Sequence, residues 1–478
     1  MMRSLYSGVT GLKAQQTAMD VIGNNIANVN TVGFKSSRVS FNELFYQTTQ
    51  SASGPDSANG KGGQNAKQIG LGAATSAISV DITNPGGYET TNRPFDVAIN
   101  GKSFFIVQKN GANYFTKAGN FKTDGQGRLV TESGCYVMGY NTDKPGADLN
   151  TDMVRPLDIY TDKNMHTEPQ ATSKATITGN INKDDADLEK GKFITTNVSV
   201  FDNLGNEYDV QFRISKEYDA NGDVVNDADG NPKYDIVAAG VYQNSKLVKG
   251  LTATLDKNSL SFDPITGKVI DKKGTTEDLA LLSFKITGAD PEGKAFTYTK
   301  DDIDNYLKEH PDKTEADVPF KEGDTRDIQL SCKSLTQFGN ETKLDGAKGI
   351  DDEGAGKKVG TMTSIGIQTD GKIVAAYDNG DNEVIGQIAV ASFANAAGLE
   401  KIGDNMYAET LNSGSFDGIG DTITSLNETL SPGVIEMSNV DLAQEFTNMI
   451  VTQRGFQANS RVITTSDSML EELLSLKR

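Results

Sequence analysis

The chain has 478 residues and a formal net charge of −19, which leaves room for three or four domains and a substantial core. The acidic balance excludes a nucleic-acid binder, which needs a basic patch to neutralise phosphates, and disfavours an anionic membrane surface. Two histidines and two cysteines leave almost no material for a histidine-based metal site or triad and none for a disulfide framework.

From the start, Leu5, Leu12, Met19 and Ile26 recur every seventh residue with Val9, Ile22 and Val29 beside them. This is the narrow apolar stripe of a helix made to pair with another. Its other face is uncharged and polar (Ser7, Thr10, Gln15, Gln16, Thr17, Asn24, Asn25), where a solvated helix face usually carries many charges. Such a face suits hydrogen-bonded packing against further copies. Asn30 to Gly33 supply stop residues, so the helix is expected over residues 1–33. Arg3, Ser4, Ser7 and Gly8 interrupt the first residues too early for a secretory signal, and no apolar run in the chain is long enough to span a bilayer.

Residues 34–87 have linker composition, with Ser, Gly, Asn and Gln dominating 48–68. The flanks Val39-Ser-Phe41 and Ile78-Ser-Val80 alternate like strands, which predicts a loop between extended arms. Residues 93–140 are short alternating strands, among them Phe104-Phe-Ile-Val107 and Tyr136-Val-Met138, divided by turns at Asn100-Gly101, Asn110-Gly111 and Asp124-Gly125. Residues 172–342 read as all-β, with Ile194-Thr-Thr-Asn-Val-Ser-Val200 and Tyr208-Asp-Val-Gln-Phe-Arg-Ile214 as clear strands. After a Gly/Lys/Asp-rich joint at 343–360, a hairpin forms around Asp370-Gly371. The last stretch repeats the pattern of the first. Leu442, Met449, Phe456, Ile463 and Leu470 recur every seventh residue with Phe446 and Leu474 between, after Pro432-Gly433 and a capping-box spacing at Ser438 to Asp441. At about 1.5 Å per residue the two helices are roughly 40–50 Å long, more than a small share of a globular core would cover.

No catalytic, cofactor-binding or metal-binding residues emerge. His166 and His310 stand in polar sequence, and Gly354-Ala-Gly-Lys357 has the wrong spacing for a phosphate loop, with Lys358 where Ser or Thr is needed. Asp219-Ala-Asn-Gly-Asp223 and Asp227-Ala-Asp-Gly230 lack the register of a calcium loop and read as hairpin turns.

Ser4-Leu-Tyr-Ser-Gly8, Asn25-Ile-Ala-Asn28 and Thr31-Val-Gly-Phe-Lys35 at one end, with Glu436-Met-Ser-Asn-Val440 and Thr452-Gln-Arg-Gly-Phe-Gln-Ala-Asn-Ser-Arg461 at the other, resemble the terminal signatures of the bacterial flagellar rod and hook proteins. Residues 95–107 and 114–140 resemble that family's first β-domain, with Ser103 in place of the usual glycine and Lys117 in place of arginine. Residues 198–208 and 388–407 are hook-like, and the shorter rod proteins lack the former.

The resemblance implies a mainly β chain with terminal α-helices in a nested multi-domain architecture. Residues 1–33 and 437–478 would form a coiled-coil-like inner helical domain, and 34–87 and 413–436 connecting arms. Residues 88–171 and 343–412 would form a discontinuous β-domain, and 172–342 an inserted outer β-domain of one or two subdomains. It further implies a structural hook subunit, not an enzyme and without cofactor. Such a subunit is exported through the flagellar type III apparatus without a cleaved signal and self-assembles outside the cell into a curved flexible tube. Rod, hook cap and hook–filament junction proteins would be its partners. A distal rod subunit shares both terminal signatures, but the length and the 172–342 insertion favour the hook. A secreted β-rich adhesin or enzyme with coiled-coil ends would need a cluster of titratable groups that does not stand out. In some hook proteins a cysteine is joined covalently to a lysine of the neighbouring subunit, which makes Cys135 and Cys332, the latter beside Lys333, candidates for such a link.

Overall fold

The computed structural model describes residues 2–475 except 56–59, 61, 227–229, 257, 271–280, 289–295, 310–317, 319 and 352; His310 and the 227–229 turn therefore lie outside the described residues. The chain is mainly β with a long helix at each end, the class expected from the sequence. It divides into two compact units. One comprises Met1–Met165, Thr363–Ala376 and Asn382–Arg478, and the other His166–Met362 and Tyr377–Asp381.

The first unit joins the two ends of the chain. Its N-terminal helix spans Met2–Ala27 and stops where Asn28 turns its side-chain amide onto the carbonyl of Asn24. The following turn ends at Gly33, whose φ of 68° is left-handed. A β-carbon there would stand within 2.7 Å of the Ala118 backbone, so glycine is required on two counts. Strand Ser37–Glu43 then pairs antiparallel with Ala73–Val80, the two extended arms, and Tyr46–Gln50 pairs with Lys67–Gly70.

The outgoing and returning chain meet twice. Val97–Asn100 pairs with Thr429–Pro432, and Tyr88–Thr90 with Val434–Glu436. The main sheet likewise interleaves early and late strands in the order Asn382–Ala391, Tyr136–Asn141, Phe104–Lys109, Ala112–Thr116, Met406–Ala408, Glu400–Gly403. Its turn at Asn110-Gly111 has φ of 52° and 81°, the left-handed pair that a two-residue hairpin needs. Beneath the sheet Phe115 packs edge-on against Phe393 and Phe416, with ring centroids 4.7 and 5.4 Å apart, and Phe104 against Tyr407 at 5.9 Å.

The second unit is a pair of sheets with one core. Ile194–Phe201, Glu207–Lys216 and Lys233–Gln243 form the centre of one. Leu251–Leu255, Leu281–Gly288, Asp327–Ser331 and Lys174–Asn180 run in order through the other, the last two parallel. Alternate residues of each strand point inward, as in Val198, Val210, Phe212 and Ile214 against Ile177, Phe284, Ile328 and Leu330, all fully buried. Phe212 meets Phe284 across the core at 5.3 Å. Among the described residues a helix at Lys300–Glu309 departs from the all-β expectation. Its start is a capping box in which the Thr299 amide and hydroxyl both donate to Asp302 Oδ2, at 2.7 and 2.8 Å.

Candidate assembly site

The two terminal helices lie antiparallel. The C-terminal helix, Leu442–Ser475, begins later than the expected residue 437. Asp441 is its cap, with Oδ1 accepting the amides of Ala443 and Gln444 at 2.9 and 3.2 Å. Along the contact, Gly8 faces Ile463 and Asn459, Gly11 faces Asn459, Gly455 faces Gln15 and Asn25 donates to Glu445. The residue numbers of these pairs sum to a near-constant value, the signature of one antiparallel register. In that register Ala18 falls opposite Thr452, and both are buried. The helices therefore approach where glycine or alanine on one faces Asn459, Gln15, Thr452 or Ile463 on the other.

The heptad stripe of the sequence lies partly beside this contact. Ile22 is buried, and Leu5, Leu12, Met19, Ile26 and Val29 are half-buried, while Val9 is exposed. On the C-terminal helix Met449, Ile463 and Leu470 are half-buried. Leu442, Phe446 and Phe456 are exposed, the phenylalanines by 50% and 38%. Leu474 lies within the helix, but its side chain is outside the described residues. With Ile450, Val451, Val462 and Met469 also exposed, the C-terminal helix carries apolar surface that the single chain does not use. Among the described residues no helix is long and apolar enough to cross a membrane.

Where the helix pair meets the β-structure, polar groups form a clasp. Lys35 and Glu436, each 1% exposed, pair at 2.7 Å. The Lys35 ammonium also donates to the Asn84 carbonyl at 2.7 Å, and Glu436 Oε1 also accepts the Gly86 amide at 2.9 Å. The Glu436 carbonyl takes the Gly33 amide at 2.7 Å. Gly86 cannot be replaced freely, because a β-carbon would fall 2.0 Å from the Met437 carbonyl oxygen. Two asparagines carry the clasp to the helices. Asn439 accepts the Ser36 amide and donates to the Asp81 carbonyl, at 2.8 and 2.9 Å. Asn25, fully buried, bonds both backbone groups of Ser37 as well as Glu445. Heptad reading missed all of these, although a lone lysine in Gly33-Phe34-Lys35 and an asparagine beside Ile22 and Ile26 were visible signals.

Lys117 lies close to the same charges. Its ammonium donates to the Gly101 carbonyl at 2.9 Å and sits 5.0 Å over the Phe104 ring. Burial pushes it down to about 8, Glu436 opposing that shift and Lys35 adding to it. Of the cysteines, Cys332 is fully buried in the second unit's core, where burial pushes its thiol up to about 12. Cys135 is buried in the first unit with its sulfur 3.6 Å from Ser133 Oγ and 3.7 Å from Met406 Sδ. Ser133 and Met406 line a cavity of about 440 Å³ together with Thr31, Thr116, Asp404 and Asn405.

Comparison with known proteins covers both ends and the middle. Residues 5–35 match the family model "Flagella basal body rod protein", residues 98–180 the model "Flagellar hook protein FlgE/F/G D1 domain", and residues 431–476 the model "Flagellar basal body rod FlgEFG protein C-terminal". The chain is 35% identical to the flagellar hook protein FlgE of Borreliella burgdorferi and 32% identical to that of Treponema pallidum, with 100% of each chain covered in both cases. A solved structure of the Helicobacter pylori flagellar hook protein FlgE2 aligns with a TM-score of 0.40 at 15% identity, over 72% of this chain and 98% of that one. Full-length identity at this level, with family matches on the segments that carry the two terminal helices, Lys35 and Glu436, shows that the chain belongs to the flagellar hook protein FlgE family.

Proposed function

We propose that this chain is the structural subunit of a bacterial flagellar hook, a curved flexible tube that carries torque from rod to filament. One observation supports it beyond the family. The helix pair is already closed on itself by small residues, yet the C-terminal helix exposes Leu442, Phe446, Ile450, Val451 and Phe456. Apolar surface of that extent on a helix is explained by burial against another copy. A contact between different faces of identical subunits does not close on itself and generates an open helical polymer. The paired helices then form the inner wall, and the assembly seam comprises the heptad residues together with this exposed flank. The role is mechanical rather than catalytic.

In this reading the subunit leaves through the flagellar export apparatus and meets rod, hook cap and junction proteins at the ends of the tube. A covalent link between subunits, where one forms, falls to Cys135 rather than Cys332. What supports the choice is the cavity beside Cys135 and the high-lying, enclosed thiol of Cys332. Concentrating the purified chain and viewing it by negative stain tests the proposal. Curved tubes are expected from the full chain and none from a chain ending at residue 441. Straight rigid tubes would favour a rod subunit, and no polymer at any concentration would contradict the proposal.

A further inference from the structure

The geometry points to Lys35 and Glu436 as positioning residues that set the angle at which the helix pair leaves the β-structure. The inference rests on the assembly reading above. A buried ion pair is a poor choice for stability alone. Desolvation of both charges offsets most of their attraction, so two apolar side chains of similar volume hold their segments at least as well. An ion pair adds direction and register instead. Lys35 Nζ is held between Glu436 Oε1 and the Asn84 carbonyl, both at 2.7 Å, and the same carboxylate oxygen is held by the Gly86 amide at 2.9 Å.

Three chain segments are thus tied to one point, and each leads somewhere definite. Lys35 lies just past the turn that ends the N-terminal helix, and Glu436 precedes the C-terminal helix by a few residues. Gly86 precedes strand Tyr88–Thr90, which pairs with Val434–Glu436. A slip of one residue in that pairing would turn Glu436 to the other face and leave two buried charges without partners, a heavier penalty than a displaced apolar contact would carry. Asn439 and Asn25 extend the fixed geometry into both helices. In a helical polymer the angle is repeated at every subunit, so a small error in it prevents regular growth.

Four chains separate position from stability: the natural one, Lys35→Met, Glu436→Gln, and the double variant Lys35→Met/Glu436→Leu. Calorimetry reads the fold and negative-stain microscopy the polymer. Each single variant, left with an unpaired buried group, is expected to melt roughly 6–15 °C lower and to form no tubes. The double variant is expected to melt within about 3 °C of the natural chain and still to form no regular tubes. Lys35→Arg provides a second arm that does not depend on refolding the double variant. It keeps the charge but cannot repeat a single-point fit, so a near-natural melt with altered tube diameter or curvature is expected. Natural tubes from a fully folded double variant, or from Lys35→Arg, would overturn the inference. A natural chain that itself forms no tubes would instead bring down the assembly reading, and this inference with it.

Discussion

Gly11 and Asn459 stand so close that a β-carbon on Gly11 would lie 2.6 Å from the Asn459 side-chain nitrogen. The atom it would meet is the far end of a mobile side chain. For Gly11→Ala that crowding is set against a gain in helix propensity of about 0.8–1.0 kcal/mol, so stability should stay near natural. Gly11→Leu cannot be absorbed in this way and should cost about 1–3 kcal/mol through overpacking. Hydrogen exchange of helix amides distinguishes them. Loss of protection on both helices is expected for leucine only, and equal behaviour of the two variants would mean that the helices do not meet here.

The same residues show what the sequence could and could not disclose. Apolar periodicity predicted two long helices, and alternation located strands such as Ile194–Phe201 and Glu207–Lys216. The face on which the helices touch was not legible, because glycine and alanine carry no hydrophobic signal and Gly8, Gly11 and Gly455 look like weak helix positions. Lys35 and Glu436 are 401 positions apart, and nothing in a single sequence says that two such residues meet. The helix at Lys300–Glu309 was hidden in a strongly polar stretch, although Thr299 and Asp302 have capping-box spacing.

The buried ammonium of Lys117 makes stability depend on alkaline pH. Its folded value of about 8 lies below the ordinary 10.5, so between these the unfolded chain binds more protons than the folded one. Stability therefore rises with pH across this window and is lost as pH falls back through 8. The rise attributable to Lys117 by pH 9.5 is about 2 kcal/mol. Melting curves of the natural chain and Lys117→Met between pH 7 and 9.5 isolate it, since other groups titrate in both. An equal pH response in the two would show that the ammonium is not desolvated.

The clasp should divide each terminal helix in the free subunit into a firm half and a frayed half. Asn25 and Glu445 are tied to each other, and Asn25 to Ser37 as well. At the opposite ends Leu5 and Leu470 are only half-buried, and long helices with little burial are marginal alone. Amide exchange on the monomer should therefore be slowest around residues 18–27 and 445–455 and fastest at residues 3–8 and 468–475. Uniform strong protection along both helices at low concentration would contradict this gradient.

The central claim is that the exposed flank of the C-terminal helix is the surface that builds the polymer. Phe446 and Phe456 are 50% and 38% exposed in the single chain, so a large part of each is left for a neighbouring copy to cover. Each becomes fully buried in the polymer under this account, and covering the exposed parts of the two together contributes about 1.3–2.6 kcal/mol. The most direct measurement is the critical concentration for polymerisation, read by sedimentation for the natural chain and for Phe446→Ala/Phe456→Ala. The account predicts a rise of roughly 10- to 100-fold with the melt of the β-structure nearly unchanged. An unaltered critical concentration, or a melt that falls in step with assembly, would show that the tube is held together elsewhere.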